Sequence, residues 1–152
     1  MNTPLWLYKL LDRTVLSSWL KVGPEDVVNI TFADRCRAWS MEGRLRACWT
    51  HIPHEVGGGK GRLSQARYAL ANALGLVAGS GDLVFTWSDG SGWIEVKRPK
   101  GLSRTGKPAA AGKLNPDQVM FQKWCAMNDV PYEVIYSADE GEAVLRRWGC
   151  LT

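Results

Sequence analysis

Two runs of residues, Ser80-Gly-Asp-Leu-Val-Phe-Thr-Trp87 and Ser91-Gly-Trp-Ile-Glu-Val-Lys-Arg-Pro-Lys100, flank the turn sequence Ser88-Asp89-Gly90. This pattern predicts a β-hairpin. Side chains two apart on a strand share a face, so Glu95 and Lys97 point together while Ile94 and Val96 point to the opposite, core-suited side. Asp82 heads the first strand. An acid and a base on a half-buried strand are costly unless they are paired or bound to something. Two readings meet that demand: a metal site with a catalytic lysine, or an exposed strand with a cross-strand ion pair. A three-residue Ser88-Asp89-Gly90 loop, with Gly90 in the left-handed region, leaves Asp82 and Glu95 one residue out of step. A bulge at Gly92 would restore them to one face.

The rest of the chain bounds what that hairpin can serve. At 152 residues the chain suits one domain that buries about two thirds of its unfolded surface. A hydrophobic content of 45% with 22% charged residues is ordinary globular composition. The net charge of +4 is a mild bias toward polyanions. The cysteines, Cys36, Cys48, Cys125 and Cys150, have neither C-x-x-C pairing nor zinc-finger spacing, so they read as reduced, mostly core thiols of an intracellular protein. His51 and His54 lack cysteines at zinc spacing, which argues against a structural zinc. The segment Leu5–Leu20 is too short and too charged to span a membrane and lacks a signal-peptide layout, so a soluble, cytoplasmic protein is expected.

In chain order, residues 4–21 predict a helix, with Leu7, Leu10, Leu11 and Val15 on one stripe. Trp6, Leu16, Trp19 and Leu20 widen its apolar surface, which suits either core packing or a second subunit. Gly23-Pro24 marks its end. Thr31–Gly43 predicts a second helix and Arg44–Ile52 a strand. His51-Ile-Pro-His-Glu55 then leads into Gly57-Gly58-Gly59, a loop from which Lys60 and Arg62 project. That loop is not a phosphate-binding P-loop, because it lacks G-x-x-x-x-G-K-[ST], but its cations suit a phosphate backbone. Residues 63–76 predict a helix with Leu63, Ala66, Leu70, Ala73 and Leu74 buried. After the hairpin, Lys97, Arg98, Lys100, Arg104, Lys107 and Lys113 occur without an intervening acid. Residues 99–114 predict a mobile surface loop that contacts phosphates. Asn115-Pro-Asp-Gln118 is a helix start, with Asn115 as N-cap, Pro116 at N1 and Gln118 at N3. The helix is expected to run to about Asn128 with Met120, Trp124 and Met127 on its stripe. Gln118 therefore suits a cap as well as a catalytic role. A strand over 131–136 and a capped helix over 138–148 complete the chain.

This order is an α/β arrangement, a mixed sheet flanked by helices. Two carboxylates facing each other across adjacent strands make a hard-oxygen site for Mg²⁺ or Mn²⁺. A lysine beside them can orient or deprotonate a water, or neutralise charge.

Asp82…Glu95-x-Lys97 resembles the PD-(D/E)xK nuclease superfamily. A fuller collinear set is similar to the VRR-NUC (virus-type replication-repair nuclease) domain. It comprises His51-Ile-Pro-His-Glu55, the Gly/Lys loop, Gly81-Asp82-Leu-Val, Ile94-Glu-Val-Lys-Arg-Pro99, Gln118, and Tyr132–Tyr136 followed by Ser137-Ala-Asp-Glu140. The likeness covers residues 30–148. It implies a restriction-endonuclease-like core over 30–152, with residues 1–22 as a separate helix and possible dimer contact.

By that resemblance, Asp82 and Glu95 would bind Mg²⁺ or Mn²⁺ together with the Val96 carbonyl. Lys97 would serve the attacking water, and Gln118 would support the site. The family's first-helix acid would be Asp34 or Glu42, and Glu55 is a further candidate. Lys60, Arg62, Arg98, Lys100, Arg104, Lys107 and Lys113 would meet DNA. The chain departs from the family at Gly81, where a proline is usual, at His54 in place of asparagine, and in the longer segment 104–113. The implied activity is phosphodiester hydrolysis on branched DNA by a homodimer, of a kind common in phage and bacteria. The alternatives are an inactive structured-DNA-binding protein and a restriction-type nuclease, although no recognition domain is evident.

Overall fold

The computed structural model describes residues 22–53, 61–103 and 105–152, together with Lys9 and Asp12. The expected helix over 4–21, the candidates His54 and Glu55, and the cations Lys60 and Arg104 lie outside the described residues. The chain divides into two compact units. One comprises Met1–Cys48, Val96–Gly112 and Val134–Thr152, and the other Trp49–Glu95 and Lys113–Glu133. The elements are α1 (Pro24–Met41), β1 (Cys48–His51), α2 (Arg62–Ala73), β2 (Leu83–Trp87), β3 (Gly90–Val96), β4 (Gly101–Leu102), β5 (Pro108–Ala109), α3 (Pro116–Met127), β6 (Tyr132–Ile135) and α4 (Ala138–Arg147).

The main sheet is mixed, in the order β1-β2-β3-β6. β2 and β3 are antiparallel. Trp93 N–H donates to Pro131 O (2.8 Å), and four residues on Lys97 N–H donates to Ile135 O (2.8 Å). Both strands thus advance in the same direction, the slanted pattern of a parallel pair. The chain is therefore a mixed α/β protein with four helices among the described residues.

In the first unit α1 packs on α4. Phe32 lies over Gly141, where an added Cβ would come within 2.4 Å of the phenyl ring. Phe32, Cys36, Val144 and Leu145 form the buried seam. Leu45 bridges Leu151, and Arg46 N–H donates to Cys150 O (2.8 Å). This explains why the predicted strand Arg44–Ile52 is divided. Its first half pairs with the C-terminal tail, and only Cys48–His51 joins the sheet.

α1 begins seven residues before the predicted Thr31. Gly23-Pro24 starts this helix: Gly23 is the N-cap, Pro24 stands at N1, and the Asp26 carboxylate accepts from Gly23 N–H (2.8 Å). Proline is suited to the first helical turn, where its missing N–H has no partner to lose.

The basic segment is also ordered differently from the expected loop. β4 and β5 pair as a small antiparallel hairpin, Gly101 opposite Ala109 and Leu102 opposite Pro108. Ser103 N–H closes it onto Lys107 O (2.8 Å), and Arg98 Nη2 ties Ala110 O to the outgoing strand (2.8 Å).

In the second unit Leu83, Phe85 and Ile94 fill the core face of the β2–β3 hairpin. Trp49 stacks on Phe85 with ring centroids 6.3 Å apart. On the opposite face α3 sets Phe121 edge-on against Trp93 (5.4 Å) and Tyr132 (5.8 Å). Two predicted apolar stripes are not buried. Leu63, Leu70 and Leu74 along α2 are exposed, and so are Met120, Trp124 and Met127 along α3, where Cys125 is buried instead. Helical periodicity says which residues share a face, not whether anything covers it. No helix among the described residues is long and apolar enough to cross a membrane.

The Phe32–Gly141 contact gives a direct stability test. Gly141→Ala should cost about 1–3 kcal/mol by overpacking, read as a lower midpoint in urea denaturation. An unchanged midpoint would mean that α1 and α4 are not held this closely.

Candidate active site

The hairpin register is simpler than the sequence predicts. Trp87 pairs with Gly90, so the connection is the two-residue loop Ser88-Asp89. Gly90 is a paired strand residue and does not have a positive φ. Pairing then runs without interruption through Phe85 opposite Gly92 to Leu83 opposite Ile94. The predicted three-residue loop and the compensating bulge at Gly92 are therefore both replaced by a simpler solution. The ladder stops at Leu83 and Ile94: the chain bends at Asp82, and a Cβ at Gly81 would lie 3.2 Å from the Trp93 Cβ and 3.1 Å from the Ile94 carbonyl oxygen, so Gly81 sits beside Trp93 and not opposite Val96 as a continued ladder would set it. Glu95 alternates with Ile94 and so points to the sheet face away from Leu83 and Ile94.

Glu95 is 1% exposed. A buried carboxylate needs hydrogen-bond donors, and Gln118 supplies one: its Nε2 donates to Glu95 Oε1. The same side chain closes the helix cap. Gln118 Oε1 accepts from Asn115 N–H (2.9 Å), while Gln118 N–H donates to Asn115 Oδ1 (2.9 Å). The two partners fix the amide's orientation, since a backbone N–H can only donate and a carboxylate can only accept. The cap and the support of Glu95 are therefore one arrangement of a single side chain.

The approach of the helix start to the hairpin depends on Gly79. Its φ of +82° is in the left-handed region, and an added Cβ would lie 2.4 Å from the Asp117 carbonyl carbon. Only glycine allows the chain entering β2 to pass this close to the first turn of α3. On the other side of Asp82, Ile52 N–H donates to the Asp82 carbonyl (2.8 Å). The chain leaving β1 is thereby bonded to the backbone of Asp82.

Tyr132 shares this face. Trp93 N–H donates to Pro131 O, which in a parallel pair sets Trp93 beside Tyr132, and Trp93 and Glu95 are two apart on β3. The Tyr132 hydroxyl is shut off from solvent and has no hydrogen-bond partner among the described residues. Burial pushes its phenol well up from the usual tyrosine range, and the nearby charges of Glu95 and then Asp82 push it further. The hydroxyl therefore stays protonated, and a donor, at neutral pH.

In the first unit Lys97 is 8% exposed and its N–H is bonded to Ile135 O. The next residue, Arg98, donates its N–H to Glu25 Oε2 (3.0 Å). Glu25 stands in the first turn of α1. The two acids proposed from the sequence are engaged elsewhere. Arg37 Nη1 bonds Asp34 Oδ1 (2.9 Å), and Arg44 Nη1 bonds Glu42 Oε2 (3.2 Å). Glu25 is thus the acid of α1 that is bonded to the residue after Lys97. The signal was Gly23-Pro24 read as a helix start, which would have put Glu25 on the first described helix.

Of the expected cations, Arg62, Lys100, Lys107 and Lys113 are exposed. Arg98 is partly buried and holds Ala110. It is an anchor of the basic hairpin more than a surface charge.

Three of the four cysteines, Cys36, Cys125 and Cys150, are buried free thiols. Burial pushes each of them up from the usual thiol range, so they behave as apolar core groups. Among the described residues no three or more His, Cys, Asp or Glu side chains cluster as a metal-binding group.

The chain matches no family model, no curated protein and no solved structure.

Two substitutions separate the cap from the site. Asn115→Ala should cost about 1 kcal/mol by removing the cap. Gln118→Ala should cost roughly 1–3 kcal/mol more, because it also removes a donor to the buried Glu95. Equal losses in denaturant unfolding would show that the Glu95 contact contributes nothing.

Proposed function

We propose that this protein is a metal-dependent DNA endonuclease that hydrolyses phosphodiester bonds, with Asp82, Glu95, Lys97 and Gln118 at its active site. The observation that carries this reading is the buried Glu95, met by the Gln118 amide at the start of α3. The donor set fits a hard divalent cation. Mg²⁺ is commonly held by one or two carboxylates while keeping several waters. Asp82, Glu95 and the Val96 carbonyl would supply all-oxygen ligands, and a larger acidic cage is not required. When bound, Mg²⁺ or Mn²⁺ would acidify a water and stabilise charge on the phosphoryl group.

The chain's own residues supply the rest. Gln118 holds Glu95 in place. Lys97, two residues on, orients the attacking water and balances charge on the phosphate. Glu25, at the backbone of Arg98, adds the first-helix acid that the VRR-NUC resemblance calls for. Lys100 and Lys107, on the basic hairpin, meet the DNA backbone. The mixed sheet with helices is compatible with a PD-(D/E)xK core, and the collinear motifs favour branched DNA as the substrate.

The test is cleavage of a flap, a four-way junction and linear duplex DNA with Mg²⁺ or Mn²⁺. Wild type should cut a branched substrate, and chelation should abolish cutting. Glu95→Ala and Lys97→Ala should each lower the rate roughly 100-fold or more. Intact DNA in all three cases would remove the nuclease reading, and tight binding without cleavage would leave a DNA-binding protein. Separately, Lys100→Glu with Lys107→Glu should weaken DNA binding across sequences and reduce the slope of log affinity against log salt by roughly two. An unchanged slope would take the hairpin out of the interface.

A further inference from the structure

The Tyr132 hydroxyl has no part in the chemistry assigned so far. It is a hydrogen-bond donor closed off from solvent without a protein partner among the described residues. Leaving such a group unmet costs free energy, so a buried orphan needs an explanation. Packing does not provide one. Phe121 holds the ring at 5.8 Å between centroids, and a phenylalanine would make the same contact.

The position of the hydroxyl is more informative. Pairing through Trp93 sets Tyr132 on the face that carries Glu95. Both carboxylates are close enough to perturb the phenol electrostatically. Gln118 already donates to Glu95 Oε1 from α3. Carboxylates that ligate a metal are themselves oriented by outer hydrogen bonds, and losing such a bond weakens metal binding.

We propose that Tyr132 is a positioning residue whose hydroxyl donates to the Asp82–Glu95 carboxylate pair when that pair closes on a divalent cation. It acts from β6 as Gln118 acts from α3, so the pair is steadied from two elements. This inference rests on the metal-dependent reading above. It also makes a demand that a structural tyrosine would not make: the hydroxyl matters to the loaded site and not to the unloaded fold.

The experiment is Mn²⁺ titration followed by electron paramagnetic resonance, on wild type, Tyr132→Phe and Glu95→Gln, beside thermal melting of each metal-free protein. Phenylalanine keeps the ring and removes only the hydroxyl. The expected result is a roughly tenfold weaker Mn²⁺ affinity for Tyr132→Phe, with a metal-free melting temperature equal to or above that of wild type. Glu95→Gln should lose the site. Wild-type affinity in Tyr132→Phe, while Glu95→Gln loses binding, would overturn the role of the tyrosine alone. A lowered metal-free melting temperature in Tyr132→Phe would also overturn it, by showing a structural hydrogen bond. No Mn²⁺ uptake by wild type would overturn the metal reading, and this inference with it.

Discussion

The second unit depends on keeping one carboxylate out of water. Glu95 is 1% exposed on a strand whose other face is solid hydrocarbon. Such a group is tolerated only where donors meet it. Gln118 can serve because Asn115 and Pro116 start α3 at the right residue and Gly79 lets the incoming chain pass close to that start. The requirement therefore extends from Glu95 to the cap, to a glycine and to the helix behind them. An arrangement in which one amide satisfies both a helix end and a buried acid is specific. Moving the helix start by one residue would break the Gln118 bonds to both groups.

The register works in the same direction. A two-residue loop and an unbroken ladder join β2 to β3 from Trp87–Gly90 to Leu83–Ile94 without a bulge. The parallel pairing of β3 with β6 sets Tyr132 on the face that carries Glu95. In the first unit, β3 continues into Lys97 and Arg98, and α1 begins with Glu25 bonded to Arg98.

Much of this was legible in the sequence because it rests on local rules. Alternation identified the hairpin and the face shared by Glu95 and Lys97. The Asn-Pro-x-Gln run identified the start of α3, and it left Gln118 open between cap and site because both roles use the same position. The features that were not legible depend on contacts distant in sequence. Leu45 pairs with Leu151, which no strand pattern in 44–52 could indicate. The apolar stripes of α2 and α3 have the right spacing, yet their faces are exposed, since burial is decided by neighbours and not by period. Gly23-Pro24 stops one helix and starts another equally well, and here it starts α1. The basic segment, rich in Gly, Pro and Ala, reads as loop until Arg98 and Ser103 are seen closing it into a hairpin.

The central claim is that Asp82 and Glu95 converge on one divalent cation. Crystals of the protein soaked in Mn²⁺ and measured at the manganese absorption edge test it most directly. The account predicts one anomalous peak between the two carboxylates, within about 2.0–2.6 Å of an oxygen from each. A protein saturated with Mn²⁺ that shows no peak there, or carboxylates on opposite faces of the hairpin, would contradict it.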